Sequence, residues 1–126
     1  MAAQPAPSLD DPTTALPIHL RARDGDVAID LLLEQGKPPV LEGDRGLSKK
    51  GPEPGNASYY YSLTRMPTSG TVTVGGQRFD VHGDSWMDRE WSTRALSSEQ
   101  IGWNWFALRL DDGRELMFFH LRRRDG

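Results

Sequence analysis

The stretch "GDSWMDREWS", residues 83 to 92, sets Trp86 and Trp91 around Asp88, Arg89 and Glu90. A carboxyl group flanked by indoles suits proton delivery, because an apolar surrounding disfavours the charged form of an acid and lets it keep its proton. The ring faces would also stabilise a neighbouring cation by about 0.5 to 2 kcal/mol. Asp88 is therefore the candidate acid. All 4 tryptophans, Trp86, Trp91, Trp103 and Trp105, fall between residues 86 and 105. On a strand, Trp103 and Trp105 share one side and Asn104 takes the other. Apolar walls with few convergent polar groups characterise small-molecule sites. The candidate ligand-binding set is Trp86, Trp91, Gln100, Trp103, Asn104, Trp105 and His120. Two plainer readings stay open beside it. The indoles serve as core anchors, and Arg89 pairs with Asp88 or Glu90 to tie a corner between strands.

Other chemistries find little in the chain. With no cysteine, thiol nucleophiles, thiolate metal sites and disulfides are excluded together. His19, His82 and His120 have no short metal-ligand spacing, and His82 near Asp80 and Asp84 is too sparse a cluster to predict a metal. Ser85 in "GDSWMD" lacks the closing glycine of a nucleophile elbow, so no Ser-His-Asp hydrolase site is derivable. "VGG" and "DDG" are turn glycines with no helix behind them, and so cradle no phosphate. No cofactor is called for. The 126 residues carry 15 Lys and Arg against 18 Asp and Glu, a net charge of -3. That balance argues against nucleic acid and favours a small or apolar partner. No apolar run reaches the roughly 20 residues of a membrane span. "MAAQPAPSLDDPTT" has neither a basic start nor an apolar core of a signal peptide, and the compartment is left undetermined.

The elements that must position these residues are strands. Residues 1–17 are proline-rich and poor in apolar surface, and are expected to be an irregular arm. "IHLRAR", Asp24-Gly25 and "VAIDLLLEQ" predict a hairpin. Residues 36–58, dense in Gly and Pro, predict a long loop of the kind that binds or covers a site. "YYYSLTRM" reads as a strand closed by Pro67, and "TVTVGGQRFDV" as two strands paired across Gly75-Gly76. "WFALRL", the Asp111-Asp112-Gly113 turn and "RELMFFHLR" make a third hairpin. Helical periodicity is missing, apart from "STRALSSEQI", which has room for one short turn. Successive hairpins predict an all-β antiparallel meander closing into a barrel, or part of one, whose last strand is apolar on both faces and so buried on both.

"GDSWMDREWS" followed by "QIGWNWFALRLDDGRELMFFHLRRRDG" closely resembles the signature of the AttH-like and carotenoid 1,2-hydratase-like proteins, covering about residues 59 to 126. The resemblance implies two lipocalin-like β-barrel domains, with the signature where the first hands over to the second. Residues 18–92 would then be a lipocalin-like domain carrying the loop 36–58, and residues 93–126 the start of a second barrel in a piece of a longer protein. It also implies an elongated apolar ligand such as a polyene, isoprenoid or lipid, and a hydro-lyase reaction, cofactor-free addition of water to an isoprenoid double bond, with Asp88 of the W-M-D motif as acid. Members are often exported, and some carry a hydrolase label. One departure counts against catalysis. Here Arg89-Glu90-Trp91 follows the acid, where hydratases carry His-Asn-Trp, and an adjacent arginine favours the charged carboxylate. A non-catalytic lipid-binding module and a structural interdomain segment therefore remain alternatives.

Overall fold

The computed structural model describes residues 15–92 and 96–125. In chain order the strands are β1 (Ile18–Asp24), β2 (Val27–Leu33), β3 (Val40–Leu41), β4 (Leu47–Lys49), β5 (Ala57–Val74), β6 (Gln77–Trp91), β7 (Gln100–Arg109) and β8 (Glu115–Arg123). One sheet has the order β1-β2-β5-β3, with β4 and β6 also pairing with β5. A second, two-stranded sheet is β7-β8. Among the described residues neither sheet closes into a barrel, and the architecture is an antiparallel all-β one.

The turns form where glycine permits them. Gly75 and Gly76 both take positive φ, 58° and 78°, as a tight two-residue turn requires, and β5 and β6 pair on either side. Both strands run longer than the sequence suggests. Pro67 does not end β5: its carbonyl accepts the Glu34 N–H at 2.8 Å, so the chain keeps pairing where the proline nitrogen has nothing to donate. β6 carries the whole tryptophan segment as far as Trp91. The Gly- and Pro-rich stretch contributes β3 and β4, and β4 pairs through Leu47↔Tyr59, Ser48↔Ser58 and Lys49↔Ala57. These residues contain no proline and lie against a long strand with ladder groups to satisfy. Of the expected helical turn, residues 93–95 lie outside the described residues, and Ser98–Glu99 form a simple turn. Most of the expected N-terminal arm, residues 1–14, also lies outside them.

The chain divides into two compact units. The first joins the described residues up to Val40 with Ser62–Asp88. In it β1 pairs with β2 from Ile18↔Leu33 to Asp24↔Val27, and β2 pairs with β5 from Ala28↔Thr73 to Leu33↔Thr68. Leu33, Leu63 and Met66 are its buried apolar side chains, and Ser62 and Thr64 are buried as well. On its surface Arg21 Nε donates to Asp30 at 3.1 Å, and this guanidinium above all holds the Asp30 carboxyl below the usual carboxylate range. His19, 2.8 Å away, acts in the same direction, while partial desolvation opposes both.

The second unit joins Leu41–Tyr61 with Arg89 and the described residues beyond it. Its buried side chains are Tyr60 and Tyr61 with Ser48, Asn56 and Ser58. The β7-β8 register runs from Trp103↔Leu121 through Trp105↔Phe119 and Phe106↔Phe118 to Arg109↔Glu115. Antiparallel alternation sorts these into two faces. Trp103, Trp105, Phe119 and Leu121 share one; Asn104, Phe106, Leu108, Leu116, Phe118 and His120 share the other. This second face is bare, with Phe106 and Phe118 stacked at 4.7 Å and 46% exposed each. Among the described residues of the unit, no second layer lies over Leu116 and Phe118.

Candidate functional site: a tryptophan-walled cavity around a buried lysine

A cavity of about 200 Å3 opens in the second unit, lined by Lys50, Tyr60, Glu90, Trp91, Ser92, Leu96, Trp103, Trp105, Phe119 and Leu121. The hairpin β7-β8 supplies four of its walls by register alone. Trp105 also ties that hairpin to β5, its Nε1 donating to the Tyr60 hydroxyl at 3.2 Å. Trp91, at the end of β6, packs against Tyr59 at 5.9 Å and edge-on against Tyr61 at 6.2 Å.

At the polar side of the cavity Lys50 keeps only 9% of its side-chain exposure, and its Nζ lies 2.6 Å from Glu90 Oε1. The same oxygen accepts the Ser58 hydroxyl at 2.5 Å. The ammonium also sits 4.1 Å from the Phe119 ring centroid and 5.3 Å from that of Tyr60, within the range where a ring face attracts a cation. A lysine this buried needs a counter-charge, and β6 provides it.

Of the sequence-predicted residues, Trp91, Trp103 and Trp105 come together here. They are 38%, 56% and 43% exposed and line the cavity. Gln100 is a tie beside the cavity: its Nε2 donates to the Lys50 carbonyl at 2.6 Å and its Oε1 accepts the Ser97 N–H at 2.9 Å. Asn104 and His120 pair across the ladder on the opposite, exposed face. Trp86 and Asp88 belong to the first unit, where Asp88 is half-buried. Asp88 Oδ1 there accepts both the Ser62 hydroxyl at 2.6 Å and the Trp86 Nε1 proton at 2.8 Å. Nor does Arg89 tie a charged corner. Alternation along the strand puts it on the face opposite Glu90; its guanidinium lies 5.9 Å from the Trp91 ring while Glu90 pairs with Lys50.

Lys50, Tyr60 and Glu90 are among the cavity-lining residues that sequence reasoning left out of the ligand-binding set, with Ser92, Leu96, Phe119 and Leu121. For Tyr60 a signal existed, since in "YYY" the middle ring must face away from its neighbours. For Lys50 there was none, because "SKKG" reads as a solvated pair. Among the described residues no three His, Asp or Glu side chains are arranged to hold a metal ion, and no helix is long and apolar enough to cross a membrane.

Antiparallel sheets with a tryptophan-rich apolar concavity define a lipocalin-like, all-β class of protein. Within it the chain belongs to the AttH-like family, whose pattern matches residues 7–126. It is 38% identical to an AttH protein of known structure from Nitrosomonas europaea, with a TM-score of 0.80, covering 85% of this chain and 33% of that one. It is 27% identical over 95 residues to kievitone hydratase from Fusarium solani subsp. phaseoli, a match to 72% of this chain and 26% of the hydratase. The solved kievitone hydratase from Nectria haematococca shares the fold at a TM-score of 0.57 and 20% identity, with 85% of this chain and 38% of that one covered. The chain thus spans between a quarter and two fifths of the length of these relatives.

Proposed function

We propose that the chain binds an apolar small molecule of the polyene, isoprenoid or lipid kind in the tryptophan cavity of its second unit. The observation that carries this is the meeting of Trp91, Trp103 and Trp105 with Phe119 and Leu121 around about 200 Å3 of space. Drug-sized ligands fill cavities of about 300 to 1,000 Å3, so this one suits a small molecule or one end of a longer one. Binding should quench the tryptophan emission, and Trp103→Ala should weaken it about tenfold, the 1.4 kcal/mol expected for losing a ring that stays half-exposed. Emission that neither polyenes nor fatty acids alter would remove the proposal.

A second reading is hydration, suggested by the relative named kievitone hydratase, with Asp88 as its candidate acid. With Oδ1 accepting from Ser62 and Trp86, the carboxyl is fixed in direction, and a transferable proton would sit on Oδ2. That proton would pass to one alkene carbon, leaving a carbocation at the other. Water would then attack the cation and return a proton to the carboxylate, restoring the acid without a redox cofactor. Incubated with an acyclic carotenoid or with kievitone, the chain should add one water, and Asp88→Asn should not. Equal turnover by the variant, or none by the unsubstituted chain, would leave binding alone.

A further inference from the structure

We propose that Lys50 anchors the ligand of the tryptophan cavity, donating a hydrogen bond to a neutral acceptor oxygen, a carbonyl or hydroxyl, at one end of an aromatic or polyene body. The proposal rests on the ligand-binding reading above and adds the polar half of the recognition. Lys50 is more than nine-tenths buried and borders the cavity, and among the described residues its ammonium makes one direct contact with an oxygen, to Glu90 at 2.6 Å. An ammonium has three donors. Among the described residues the faces of Phe119 and Tyr60 also lie near Nζ; they attract a cation but are not oxygen acceptors. A ligand that filled the cavity with hydrocarbon alone would strip solvent from this ammonium and return nothing. One carrying an acceptor oxygen at the Lys50 end would replace the lost water.

The charge of that oxygen follows from Glu90. Lys50 and Glu90 together are neutral, so a carboxylate entering the cavity would be an uncompensated anion against apolar walls, and a cation would meet the ammonium itself. A carbonyl or hydroxyl brings acceptor capacity without net charge. The rings of Trp103, Trp105 and Phe119 then favour a flat, π-bearing body, which stacks on them at offset or edge-on geometries.

Three probes of equal bulk separate the possibilities by calorimetric titration: benzylacetone with a ketone oxygen, butylbenzene with none, and hydrocinnamic acid with a carboxylate. The ketone should bind at least tenfold more tightly than the hydrocarbon and the acid. Lys50→Met should erase the ketone's advantage, and butylbenzene, no longer desolvating an ammonium, should bind the variant at least as tightly. Glu90 is 40% exposed, so water can solvate it when its partner is removed; circular dichroism checks that the variant is folded. Equal binding of ketone and hydrocarbon by the unsubstituted chain would overturn the anchor without needing any variant. So would a ketone preference that survives Lys50→Met, or tighter binding of the acid. If butylbenzene binds and the ketone gains nothing, the cavity remains a ligand site and only the anchor fails; if none of the three binds, both proposals fall.

Discussion

At the scale of single residues, the grouping of the tryptophans was legible because indoles clustered in sequence are rare and strand alternation is arithmetic. That arithmetic placed Trp103 with Trp105 and opposed Asn104 to both, and the ladder bears it out. It could not say that Lys50, in a stretch dense with glycine, turns inward while Lys49 stays exposed. Charge pairing across chain distance leaves no local trace, and the Lys50–Glu90 contact joins the residue after β4 to the end of β6. The Asp88→Asn prediction belongs to this scale. Amide for carboxyl keeps the acceptor oxygen for Ser62 and Trp86, so the fold should survive while any proton transfer is lost, a fall of about 10² to 10⁴ in rate for a general acid. Retained structure with retained turnover would free Asp88 of the role.

At the scale of elements, the hairpins followed from their turns: Gly75-Gly76 and Asp111-Asp112-Gly113 separate strands that pair, and the first turn falls at Gly25-Asp26, one residue past the expected start, because Asp24 still pairs with Val27. What the sequence obscured was continuity. Pro67 looked like a stop, yet its exposed position and accepting carbonyl let β5 continue to Val74. Gly70 explains how two strands approach in that continuation. It pairs with Leu31 at a φ of 149°, and a Cβ there would run into the Asp30 carbonyl oxygen. Gly70→Ala should therefore destabilise the first unit by about 2 kcal/mol, from backbone strain and displacement of β2. Denaturant unfolding would read this as a lowered midpoint, and an unchanged midpoint would mean the β2-β5 ladder has more slack than its geometry indicates.

At the scale of the whole molecule, the two faces of β7-β8 have different fates. One builds the cavity. The other presents Phe106, Leu108, Leu116 and Phe118, all 44% to 49% exposed, a contiguous apolar patch of the kind that drives association. The chain should self-associate as its concentration rises, and Phe118→Lys should suppress this without affecting ligand binding, since Phe118 points away from the cavity. Light scattering that stays monomeric across the concentration range would contradict this. The expectation that an apolar last strand is buried on both faces rested on composition, which records how much apolar surface a strand has and not whether a second layer covers it.

The central claim, a ligand site walled by tryptophans of the second unit, is tested most directly by following the indole N–H signals of all 4 tryptophans by nuclear magnetic resonance during titration with an apolar, ring-bearing ketone. Trp91, Trp103 and Trp105 should show saturable shifts. Saturable binding with those three unmoved, or with shifts confined to Trp86, would contradict the claim.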